Sequence, residues 1–255
     1  MRILLTNDDG IYADGLHAAW RALNAAGHDV FVCVPDRPRS AVSHGITMHK
    51  PLRAKTVHTP EGVAFTSNGT PADCVPLALM QLMDVEKNGL PDVVISGINL
   101  GPNLGDDVHY SGTVAGAMEA MLNGIPSFAI SLTDWENADW RAAAAFCVEF
   151  APKMKSLSLP RDTFVNVNVP NVAPEKIAGV RVTSQGSRRY KGDIVKYHAP
   201  NIGEYYWRGG EIVDRVEESD TDILAVKNNF ISVTPLHVDL TNREAFADLQ
   251  AVLAR

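Results

Sequence analysis

The chain of 255 residues is 45% hydrophobic and 21% charged, which is enough apolar content for a full buried core and too much for a disordered or fibrous protein. Its net charge of −7, with the two signs interspersed, argues against a binder of nucleic-acid duplexes with a broad basic face, although an acidic chain still holds phosphate through a cation. The apolar run after Met1 and Arg2 is far shorter than a signal-peptide core or the roughly 20 residues that cross a bilayer, so a cytoplasmic protein with no membrane partner is expected.

In chain order, short apolar runs alternate with segments of helical period. Residues 3–6 read as a first strand, and 16–26 as a helix with Leu16, Trp20 and Leu23 on one face and Gly27 as its stop. Residues 30–34 form a second strand, cut by Pro35; weaker strands are expected over 52–57 and 63–66. Thr70-Pro71 starts a helix over 72–83, and DVVIS (92–96) is a further buried strand. A helix over 113–122, a strand over 127–132, a long helix over 139–155 and a strand over 164–169 follow. Unbroken apolar strands separated by helices imply a doubly wound α/β fold around a mostly parallel sheet. From Val180 the texture changes to short β-like pieces rich in tyrosine, with Gly209-Gly210 suggesting the turn of a hairpin arm, and 243–254 is expected to close the chain as a helix. The expected organisation is one unit: an α/β core over 1–179, a β-rich arm and return strand over 180–235, and a C-terminal segment with a helix over 236–255.

Cys33, Cys74 and Cys147 are widely spaced and form no CxxC pair, which suits buried small hydrophobes in a reducing compartment. No GxGxxG, Walker A lysine motif, HExxH or GxSxG occurs. His44, His49 and His109 lie near the strand-end loops without a defined role.

Ligands of open α/β sheets bind beyond the carboxyl ends of the strands. The first strand ends in Asn7-Asp8-Asp9-Gly10, the second in Pro35-Asp36-Arg37-Pro38-Arg39-Ser40, and DVVIS in the glycine-rich 97–105; Tyr110-Ser111-Gly112-Thr113 then opens a helix. Asp8 and Asp9 offer carboxylates, and Ser40 and Asn99 a hydroxyl and an amide oxygen. Such an all-oxygen set suits Mg²⁺, Mn²⁺ or Ca²⁺ rather than Zn²⁺ or copper, and a cation would explain why two adjacent acids tolerate each other. Taken alone, Asp8-Asp9 also reads as a turn and helix cap. Ser111-Gly112-Thr113 reads equally as an ordinary N-cap or as a helix end whose free amides attract phosphate.

Together, NDDG (7–10), PDRPRS (35–40), GTPADC (69–74), SGINLGPNLGDDVHYSGTVAGAMEA (96–120) and VTPLHVDLT (233–241) resemble the SurE family of survival-protein nucleotidases, in order along nearly the whole chain. Ala41 and Val42 depart from that pattern, which leads one to expect glycine and then alanine. The resemblance implies a Rossmann-like core, dimers or tetramers built through the arm and C-terminal segment, and a phosphomonoesterase acting on nucleoside 5′- and 3′-monophosphates and on short polyphosphate. It implies one divalent cation, Mg²⁺ or Mn²⁺, on Asp8, Asp9, Ser40 and Asn99. In the expected reaction water activated by the cation attacks phosphorus, Asp8, Asp9 and Asn7 serve catalysis, and Asn103, Ser111, Gly112 and Thr113 hold the phosphate or sugar. An aspartyl-phosphate route ranks second, because the DxD spacing associated with dehalogenase-type phosphatases is absent. A nucleotide-binding regulatory module without turnover and a nucleotide-sugar transferase are the alternatives.

Overall fold

The structure, a computed structural model, describes residues 1–192, 194–215 and 220–254. Residues 193 and 216–219 of the expected arm, and 255 of the expected C-terminal segment, lie outside them.

The amino-terminal half follows the apolar pattern. Strand β1 (Arg2–Thr6) leads into helix α1 (Asp14–Ala25), then β2 (Asp29–Pro35), β3 (Ala54–Thr59) and β4 (Gly62–Ser67). Helix α1 ends where Gly27 takes φ +78°, so that the N–H groups of Gly27 and His28 reach back to the Asn24 and Leu23 carbonyls. Helix α2 (Pro71–Leu77) is started by Thr70 and Asp73, each accepting the other's backbone N–H. The helix expected over 72–83 does not run through: Pro76 lies within it, and residues Ala78–Leu82 form a wider π-helical turn. A proline supplies no N–H to the helical ladder, which is where regularity gives way. A short helix α3 (Val85–Asn88) precedes strand β5 (Val93–Leu100).

The second half adds α4 (Gly112–Leu122), β6 (Ser127–Leu132), α5 (Arg141–Ser156), β7 (Thr163–Val169) and β8 (Gly179–Val182). Beyond β9 (Ser187–Lys191), β10 (Ile194–Ala199), β11 (Gly203–Arg208) and β12 (Glu211–Arg215) come α6 (Asp222–Lys227), β13 (Phe230–His237) and α7 (Phe246–Leu253). Nine strands form one sheet in the order β3-β4-β2-β1-β5-β6-β7-β13-β8. All its pairings are parallel except β3 with β4 and β7 with β13. Along β1, Ile3 and Leu5 enter the core beneath α1 and α5, while Leu4 enters the opposite core with Cys33 and Cys74. Both faces are buried, which is why the strand reads as a continuous apolar run.

Gly209-Gly210 is not the turn of a hairpin. Residues 200–202 make the turn, between β10 and β11, and the glycines mark where that ribbon passes into the pairing of β12 with β9. The return strand β13 sits inside the main sheet and continues past residue 235 to His237.

Candidate active site

Strand order reverses at β1: the chain moves to β2 on one side and later to β5 on the other. A crevice must open beyond the carboxyl ends of β1 and β5, and Thr6 pairs with Ser96 directly beneath it. Asp8 and Asp9 leave β1 at this level. The turn is braced by Asn7, fully buried, whose side-chain nitrogen donates to the Gly10 carbonyl (3.0 Å) and whose Oδ1 accepts the Gly10 N–H (3.1 Å). Gly10 takes φ +88°, a conformation open to glycine, and this lets both carboxylates leave the strand on one side.

β5 is longer than DVVIS. It runs on to Leu100 with a register shift against β6 between Ser96 and Asn99, so Asn99 belongs to the strand end rather than to a loop. Its Nδ2 donates to the Gly101 carbonyl at 2.8 Å, which leaves Oδ1 as the group for a ligand. Ser40 follows β2, and the loop is tied to the site by the Arg39 N–H donating to the Asp8 carbonyl at 2.7 Å. Ala41 takes φ +55°, a left-handed conformation at the position where the sequence pattern leads one to expect glycine.

Asp8, Asp9, Ser40, Asn99, Asn103 and Ser111 line one cavity of about 510 Å³. The expected donor set is therefore gathered. Asn7, Gly112 and Thr113 lie behind that lining. The Thr113 hydroxyl donates to Asp8 Oδ1 in a short hydrogen bond. A β-carbon on Gly112 would stand 2.9 Å from the Asp8 β-carbon, so the helix end approaches the carboxylate only because residue 112 has no side chain. Ser111 Oγ accepts the Val114 N–H at 3.1 Å and caps α4 while facing the cavity.

Burial, and then the charge of Asp9, push the Asp8 carboxyl up to about 7, against the pull of the Thr113 hydroxyl. Burial also raises Asp9, opposed by the Leu100 N–H. Among the described residues no ion pair reaches Asp8 or Asp9, and a divalent cation would supply the counter-charge. Among the described residues no cluster of three or more His, Cys, Asp or Glu occurs, so the donors available are this carboxylate pair with neutral oxygens, a set fitted to a hard cation.

Asn103 is held from below. Its N–H donates to Asn168 Oδ1 (2.8 Å), its carbonyl accepts from Asn166 and Asn168, and its side-chain amide donates to Ser131 Oγ (2.7 Å). No motif singles out Asn166 and Asn168 in the sequence. Their signal is the alternation in TFVNVNV, where two asparagines share one face of an otherwise apolar, buried strand. His44 and His109 line a neighbouring cavity instead, where His44 pairs with Glu119 at 2.8 Å.

The family model described as survival protein SurE matches residues 3–192. The chain belongs to the SurE family. It is 50% identical over 244 residues to the 5′-nucleotidase SurE of Heliobacterium modesticaldum, covering 95% of this chain and 88% of that protein. To the 5′-nucleotidase SurE of Moorella thermoacetica it is 48% identical over 256 residues, covering 100% of this chain and 96% of that protein. The crystal structure of the SurE protein from Aquifex aeolicus matches with a TM-score of 0.83 at 42% identity, covering 99% of this chain and all of that one. The Rossmann-like doubly wound core is thus the SurE architecture. Among the described residues no helix is long and apolar enough to cross a membrane.

Proposed function

We propose that this chain hydrolyses phosphomonoesters of nucleosides, 5′-monophosphates first, with 3′-monophosphates and short polyphosphate as further substrates. The observation that carries the reading is the convergence of Asp8, Asp9, Ser40 and Asn99 in one cavity beside the amino terminus of α4. Membership of a family whose relatives carry the name 5′-nucleotidase supports it.

Asp8 and Asp9 would hold a divalent cation, Mg²⁺ or Mn²⁺, with the Ser40 hydroxyl and the Asn99 amide oxygen completing the protein's share. When bound, the cation supplies Lewis acidity toward a phosphate oxygen and lowers the pKa of water. The chain's own residues do the positioning. Ser111 and the amide end of α4 orient phosphate oxygens, and Asn103, locked by its neighbours, directs its remaining oxygen toward the phosphate or the ribose. Thr113 sets the Asp8 carboxylate, and Asn7 keeps the turn from relaxing. Inorganic phosphate released from AMP is the measurement. Release with Mg²⁺ or Mn²⁺, abolished by EDTA and recovered on adding cation back, is expected; no release from any nucleoside monophosphate at millimolar cation would overturn the reading. The chain works as one unit in this reading, and its arm and C-terminal segment join copies into dimers or tetramers.

A further inference from the structure

The cavity that holds the carboxylate pair has a second kind of wall. Trp135, Tyr110 and Tyr190 line it together with Pro102 and Leu100, at the opposite extreme of polarity from Asp8 and Asp9. Trp135 is 61% exposed, yet both its backbone and its ring meet neighbours. Its backbone N–H donates to Asp134 Oδ1 at 2.7 Å, and Asp134 Oδ2 in turn accepts from Asn171 Nδ2 at 2.9 Å, which ties the loop that carries the ring. Its indole is seated against Gly101, where an added β-carbon would stand 2.1–2.5 Å from three ring atoms. Gly101 is also the residue whose carbonyl fixes the Asn99 amide, so the indole is seated two residues from a proposed cation donor. Tyr190 is fixed as well, its hydroxyl donating to Asp107 Oδ1 at 2.7 Å.

Water alone gives no reason to present a large aromatic ring, exposed on one side and packed against Gly101, beside a charged floor. A ligand with one anionic end and one flat apolar end gives such a reason. We infer that Trp135 is the stacking platform for the nucleobase of the substrate, with Tyr190 bounding the same space, so that the phosphate sits on the carboxylate floor and the base lies on the indole. The inference rests on the nucleotidase reading for the identity of the ligand. Stacking on an aromatic face is tolerant of base identity, so this platform favours nucleotides over simple phosphate esters rather than one base over another.

Trp135→Ala is tested beside Trp135→Phe, with AMP and glycerol 2-phosphate as substrates, and with adenosine as a ligand that carries no phosphate. Trp135→Ala is expected to raise KM for AMP by about tenfold, the scale of one lost base–aromatic stack, with kcat and turnover of glycerol 2-phosphate nearly unchanged. Trp135→Phe should recover most of that loss. Adenosine should quench the tryptophan fluorescence of the parent chain but not of Trp135→Phe, which has lost only this indole. An unchanged KM for AMP in Trp135→Ala, or quenching that persists in Trp135→Phe, overturns the platform. If the parent chain releases phosphate from neither ester, the hydrolase reading fails instead, and the adenosine titration still decides whether the base binds here.

Discussion

At Asp8, burial and a neighbouring charge act in the same direction. Its carboxyl sits near 7 because burial and Asp9 oppose ionisation, so the cation-free native protein holds a proton that the unfolded chain has already lost above pH 4. Stability contributed by this group is therefore present at acidic pH and is lost as pH rises toward 7. Asp8→Asn should remove that slope: in EDTA its melting temperature should exceed that of the parent at pH 8, and the difference should shrink toward pH 5. Added Mn²⁺ should raise the parent's melting temperature at pH 8 and leave the variant's unmoved. Its activity should fall by more than about 100-fold, the upper end of what losing only an outer-shell partner of a metal costs. Melting curves across pH, with and without Mn²⁺, check each of these statements.

At the scale of elements, the strand ends decide which residues meet. The alternation of buried strands and amphipathic helices could be read from the sequence because both faces of the parallel sheet are covered, which turns each central strand into an unbroken apolar run. Asp8, Asp9 and Ser40 could be placed at the rim because the loops that carry them follow such runs, Asp8 and Asp9 at once and Ser40 after the polar stretch 36–39. What resisted reading came from long-range pairing. Asn99 could be named as a donor, but its place in an extension of β5, with a register shift against β6, is a property of two strands together. Asn166 and Asn168 carry no chemistry of their own, and their purpose is visible only once Asn103 lies above them. The hairpin's turn falls away from its glycine pair because the pairing changes partners at that point. Asn168→Val should strip the Asn103 N–H of its acceptor in a buried place and cost about 1–3 kcal/mol. Thermal denaturation should register that loss, and KM for AMP should rise because Asn103 is no longer fixed.

For the whole molecule, the unfinished part is the far end of the chain. No residue of α7 is buried, and Phe246, Leu249, Val252 and Leu253 all stand exposed, from 48% to 82%. A helix that buries nothing gains little from its own chain, since short helices draw their stability from packing. Assembly of copies through this segment would supply the packing. Light scattering is expected to give a mass of at least twice the 27.6 kDa of one chain, and Leu249→Asp with Leu253→Asp should lower it. A parent chain that runs as a monomer at micromolar concentration would count against assembly through α7.

Asp222 ties these scales together. Fully buried, it accepts the N–H of Gly105 and the N–H of Gly186, both at 2.9 Å, joining the turn ahead of α4 to the root of the arm. Arg188, on the first strand of the arm, adds an ion pair to Asp107 in the same turn. Grafting a foreign hairpin onto this scaffold would therefore disturb hydrolysis even if no grafted atom touched the nucleotide, unless residues 105–109 travelled with it.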